Sequence, residues 1–136
     1  VDTMSFNNRK DLISLQKSNQ TEIEKAMSFL VEGLRNQSLE IIGKAATISA
    51  FANQKILFKK PPEDFYTRGS ALGGKGVICA HSGTVLGLIV APGADIEAIR
   101  TKIKDYDLGV FYLDTVRLTN QGMQIRKCKL DDPFTK

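Results

Sequence analysis

The chain has no tryptophan, one histidine and two cysteines in 136 residues. Cys79 and Cys128 sit in strand-like contexts without metal-ligand spacing, so both read as buried, reduced thiols rather than as a disulfide or a zinc site. No apolar run approaches the ~20 residues that span a bilayer. No charged-then-apolar leader opens the sequence either, which points to a cytoplasmic chain with no membrane partner. Charge of one sign is scarce as well, the net value being +4. Lys59-Lys60 and Arg126-Lys127-Cys128-Lys129 are the only basic clusters, and neither is interleaved with aromatics, which argues against nucleic-acid binding. Repeats and low-complexity segments are missing.

What is present is ordinary for a globular protein: 42% apolar and 25% charged residues, in a length that suits one domain, residues 1–136. Val1-Asp2-Thr3-Met4-Ser5-Phe6 alternates like a strand met partway. The chain therefore reads as a piece of a longer protein, with residues 1–7 the end of a strand from a preceding half.

Asn7 to Gln20 is polar apart from Leu12, Ile13 and Leu15. Thr21-Glu22-Ile23-Glu24 then has the form of a capping box, in which hydroxyl and carboxylate satisfy the free amides of a helix start. Ile23, Ala26, Met27, Leu30, Val31 and Leu34 follow at three- and four-residue spacing, the pattern of a core-facing stripe. A second helix, from about Ser38 to Lys55, is apolar nearly all round, so it should be buried on several sides, its small residues admitting neighbouring backbones. Thr47, Ser49, Asn53 and Gln54 are polar groups on that helix; they either bond back to it or line a ligand pocket. Lys59-Lys60-Pro61-Pro62 breaks the pattern. A short helix from about Glu63 to Leu72 stops at Gly73-Gly74.

Next comes Gly76 to Val90, two β-prone runs around Ala80-His81-Ser82-Gly83-Thr84, read as a central hairpin whose tip faces a ligand. Ala91-Pro92-Gly93 turns the chain, and Asp95 to Lys104 is a helix with Ile96, Ile99 and Ile103 inward. Val110 to Thr119 reads as a strand, Asn120-Gln121-Gly122 as its hairpin loop and Met123 to Cys128 as its partner. The order argues an α+β fold, an antiparallel sheet covered by helices on one face.

Gly69-Ser70-Ala71-Leu72-Gly73-Gly74-Lys75-Gly76 matches the start of a nucleotide-phosphate loop, but Gly76 stands where Ser or Thr should ligate magnesium. Its context is inverted too, following a helix and opening a strand. His81 and Ser82 are adjacent, so their side chains diverge and no acid is placed to orient the imidazole; a hydrolase triad does not fit. The exposed amides of a glycine turn, with two hydroxyls and an imidazole, do suit an anionic group.

The run Val77-Ile78-Cys79-Ala80-His81-Ser82-Gly83-Thr84-Val85-Leu86-Gly87-Leu88-Ile89 resembles the C-terminal signature of the GHMP kinases, the superfamily of galactokinase and of homoserine, mevalonate and phosphomevalonate kinases. It is most similar to their L-threonine kinase branch, associated with propanediol utilisation and cobalamin synthesis. Val1-Asp2-Thr3 with Phe6-Asn7, Ala45-Ala46-Thr47 with Ser49, and Asn53-Gln54 share the resemblance, which spans Val1 to about Val90. It implies a ferredoxin-like α+β C-terminal domain that forms one wall of an active site, with ATP and Mg²⁺ held with the help of an N-terminal domain. No Pro-x-x-x-Gly-Leu-x-Ser-Ser stretch of that domain occurs here, so the resemblance makes the missing half a partner and the chain by itself inactive. It also implies His81, Ser82, Gly83 and Thr84 as contacts to a hydroxylated substrate or its phosphate. Asp2, Thr3, Ser49 and Asn53 become pocket-lining candidates, and no catalytic residue or resident metal ligand is named. Two other classes stay open: a non-catalytic small-molecule-binding or regulatory domain, and an interaction domain that dimerises through the open edge of the last hairpin.

Overall fold

The computed structural model describes residues 8–58, 61–80 and 85–118. Helix α1 runs unbroken over Leu12–Arg35. The capping box expected at Thr21 to Glu24 is therefore not a helix start. Gln16, Lys17 and Gln20 upstream are good helix formers on an exposed surface. The turn before Thr21 is also anchored, because the Asn19 side-chain amide donates to the Ala52 carbonyl at 2.7 Å. At the far end Ser38 N–H reaches back to the Gly33 carbonyl and Gln37 N–H to the Leu34 carbonyl. That pair of bonds makes a Schellman stop with Gln37 in the left-handed region, φ 51°.

The stripe expected to be core is mostly exposed. Ala26 is buried, yet Met27 is 55% and Leu34 61% exposed, with Ile23 and Val31 also on the surface. The face that packs instead carries Asn19, Ala26 and Gly33. At 100° per residue it is rotated by roughly 80° from the large apolar stripe. Small side chains let α2 approach α1 closely: a methyl added at Gly33 would meet the Ile42 backbone and side chain.

Helix α2 spans Leu39–Gln54, capped by Ser38, whose hydroxyl accepts from Ile41 N–H. Gly43, Ala45, Thr47, Ala50 and Ala52 are buried along it, as an all-round apolar helix requires. Helix α3 spans Pro61–Ala71. Gly73 N–H bonds the Ser70 carbonyl and Gly74 N–H the Gly69 carbonyl, while Gly73 takes φ +87°. The glycine pair is thus a helix stop of the Schellman type, which only a residue free of a Cβ adopts without strain.

Strands β1 (Gly76–Cys79) and β2 (Leu86–Ile89) form an antiparallel pair with Val77 opposite Leu88 and Cys79 opposite Leu86. Successive side chains point to opposite faces. Val77 and Cys79 face a core made with Ala50 and Phe65, against which Leu86 and Leu88 pack, and Val77 is completely buried. Ile78 on the other face is exposed. The hairpin is covered by helices on one face, as read from sequence. Helix α4 spans Ile96–Asp105, its Asp95 cap accepting from Ala98 N–H at 3.0 Å; Ile103 packs on the same core.

Residues 110–118 form no strand. The strand expected over this stretch is not formed, and its apolar side chains are left uncovered: Phe111 is 92% exposed, and Leu113, Val116 and Leu118 are exposed too. The partner run Met123 to Cys128, the loop at Asn120 to Gly122 and the strand-like Val1 to Phe6 lie outside the described residues. Those residues give an α+β arrangement of four helices and one two-stranded antiparallel sheet. None of their helices is long and apolar enough to cross a membrane.

Candidate functional site

The two polar pairs on α2 face different neighbours. Thr47 and Gln54 are seven residues apart, which returns them to nearly the same side of a helix. The Thr47 hydroxyl donates to the Gly43 carbonyl at 2.8 Å and accepts from Val77 N–H at 3.1 Å. It thereby takes up an amide on the β1 edge turned away from β2. Gln54 donates to the Ala50 carbonyl at 3.4 Å and to Cys79 Sγ at 3.8 Å. The C-terminal end of α2 therefore lies beside the end of β1 from which the hairpin tip springs.

His81, Ser82, Gly83 and Thr84 lie outside the described residues. The residues that bracket them are held together, Ala80 N–H bonding the Val85 carbonyl at 3.0 Å. The buried Cys79 thiol donates to the Ala80 carbonyl at 3.5 Å; Cys128 lies outside the described residues. Asp2 and Thr3 do as well. Near the start of the described residues Arg9 is anchored, its guanidinium donating to the Ile56 carbonyl at 2.7 Å while forking onto Asp11. Hydrogen bonding to Arg9 holds the Asp11 carboxyl below its ordinary range, and the same bond raises Arg9.

Ser49 and Asn53 turn toward α1. They line a cleft of about 400 Å³ with Asn19, Ile23 and Ile56. That cleft lies on the side of α2 opposite Thr47 and Gln54, so these two candidates do not join the residues that touch the hairpin. Asn19 was not signalled by the apolar stripe. The pattern that would have found it is Asn19, Ala26, Gly33, a seven-residue spacing through small or polar residues rather than large apolar ones. Its side chain is 2% exposed, and Oδ1 has no hydrogen-bond partner.

The described residues include the glycine-rich stretch that matched the start of a phosphate loop. The glycine-rich run before β1 is a helix stop, the Gly73 and Gly74 amides bonded back to α3, the Lys75 amide to the Ile89 carbonyl and the Lys75 side chain paired with Glu40 at 2.8 Å. No three His, Cys, Asp or Glu side chains converge among those residues. No protein-family model, curated protein or solved structure matches the chain.

Proposed function

We propose that this chain is the substrate-side half of a GHMP-type kinase, with the ferredoxin-like fold of that domain. The kinase transfers the ATP γ-phosphoryl group to a hydroxyl of a small metabolite. L-threonine is the acceptor we assign and O-phospho-L-threonine the product, made in the cytoplasm for cobalamin synthesis. What supports the reading is the contact of Gln54 with Cys79: Asn53-Gln54 and the Val77 to Ile89 run, two stretches that carry the resemblance, meet at the tip end of the hairpin.

In this reading the Ser82, Gly83 and Thr84 amides and the two hydroxyls hold substrate or the transferring phosphate, and His81 donates a hydrogen bond or anchors the turn. Such groups act by position and by stabilising charge, with no covalent step of their own. ATP and Mg²⁺ are held by the other half. The test is the full-length kinase assayed with L-threonine and other hydroxylated metabolites. Replacing His81, Ser82 and Thr84 together by Ala should abolish turnover while leaving the thermal midpoint unchanged. Undiminished turnover in that variant removes the tip from the mechanism, and no phosphorylation of any hydroxylated acceptor removes the kinase reading.

A further inference from the structure

We infer that the cleft between α1 and α2 binds a small neutral molecule bearing an alcohol or amide N–H donor on a short apolar body. The inference begins with Asn19. Its Nδ2 donates to the Ala52 carbonyl at 2.7 Å. That bond fixes the amide orientation, since the flipped form would set two oxygens against each other. Oδ1 is left as a buried acceptor without a donor, an arrangement that native interiors rarely keep.

The surrounding volume of about 400 Å³ falls within the ~300–1,000 Å³ of small-molecule sites. Ile23 and Ile56 give it apolar walls, and Ser49 adds a hydroxyl to the lining. Charge selects against ions. Lys17 and Glu24 stand at the mouth with opposite signs, and the Glu24 carboxylate already accepts from Gln20 at 2.8 Å. An anion would set acceptor against acceptor at Asn19. An ammonium would exchange its hydration for one neutral amide oxygen, a losing exchange. A neutral donor satisfies Oδ1 at no such cost, and its carbon body covers the two isoleucines. Oδ1 is itself sealed from solvent, so a ligand reaches it only as side chains lining the cleft move aside.

The cleft includes Ser49 and Asn53, pocket candidates of the phosphotransferase reading, but the Asn19 acceptor stands without that reading and the test of the site requires no turnover. The test is titration of the nitrogen-15-labelled chain with N-methylacetamide and tert-butanol, with N,N-dimethylacetamide as a probe of like shape that lacks a donor. The expected result is saturable amide shifts confined to α1 and the second half of α2, with the donorless amide weaker by about tenfold. Ser49→Leu fills the cleft and Asn19→Leu removes the acceptor; both should abolish the shifts. Because Asn19→Leu also cuts the bond to Ala52, Ser49→Leu decides the matter if the former fails to fold. Equal response to the two amides, shifts that survive Ser49→Leu, or no saturable response to any probe overturns the site and leaves Oδ1 to a bound water.

Discussion

Gly43 and Gly76 meet backbone to backbone where α2 crosses the start of β1. A Cβ at Gly76 would overlap the Gly43 carbonyl, and one at Gly43 would overlap the Lys75 carbonyl. Neither neighbour is a flexible side-chain end, so the helix and hairpin would have to separate. Gly43→Ala should cost at least ~1–3 kcal/mol, the range of overpacking. Gly87→Ala is the control, since its added methyl makes only an ordinary contact with Ile78 at 3.6 Å. Denaturant midpoints measure both; a parent-like midpoint for Gly43→Ala would show that the crossing is not tight.

Thr47 holds the same crossing by hydrogen bonds. Thr47→Val keeps the shape but leaves the Val77 amide, buried under α2, without its acceptor. The expected loss is ~1–3 kcal/mol, with faster hydrogen exchange at Val77 N–H. Thr47→Ser retains the hydroxyl and should lose about 1 kcal/mol or less, the share of one methyl. Equal losses in the two variants would mean that packing rather than the hydroxyl matters.

Gln37 carries a left-handed φ of 51° at the end of α1. Glycine adopts that conformation without the Cβ clash, so Gln37→Gly should raise stability by about 1 kcal/mol. Gly73→Ala, at φ +87° after α3, should move it the other way by a similar amount. Thermal midpoints of the pair check the sign: if Gln37→Gly melts lower, unfolded-chain entropy outweighs the strain.

Glu40 pairs with Lys75 at 2.8 Å, and hydrogen bonding from that ammonium holds the carboxyl below its ordinary value. A carboxyl lowered in the folded state binds protons less readily there than in the unfolded chain. Its contribution is therefore present above the unfolded value and lost as pH falls through the folded one. Asp11, lowered by Arg9, follows the same sign. Melts of the parent and Glu40→Gln should differ at about pH 6 and draw together as the pH falls below the ordinary carboxylate range, and salt should shrink the difference, because the pair is solvent-exposed. A gap that stays constant across that range would deny the pair any pH-linked role.

Local chemistry made much of this protein legible before folding was considered. Ser38 before an apolar run, Gly73-Gly74 after one, Asp95 at a helix start and two β-prone runs around a polar turn each specify their element through bonds within a few residues. Their boundaries agree with α2, α3, α4 and the β1–β2 pair. The inverted glycine-rich run was readable for the same reason, its context being local.

Tertiary packing decided the rest. The large apolar stripe of α1 had the right period but the wrong side, because closeness to α2 is won by Ala26 and Gly33, which admit a neighbouring backbone where Met27 and Leu34 cannot. The nine residues from Leu12 to Gln20 became helix, a stretch that Asn19 pins by bonding Ala52, thirty-three residues away. Ser49 and Thr47 carry the same chemistry two residues apart, yet one faces a cleft and the other a strand. A hydroxyl's role on a buried helix depends on what lies across from it, and that is fixed only when the helices and the hairpin are packed.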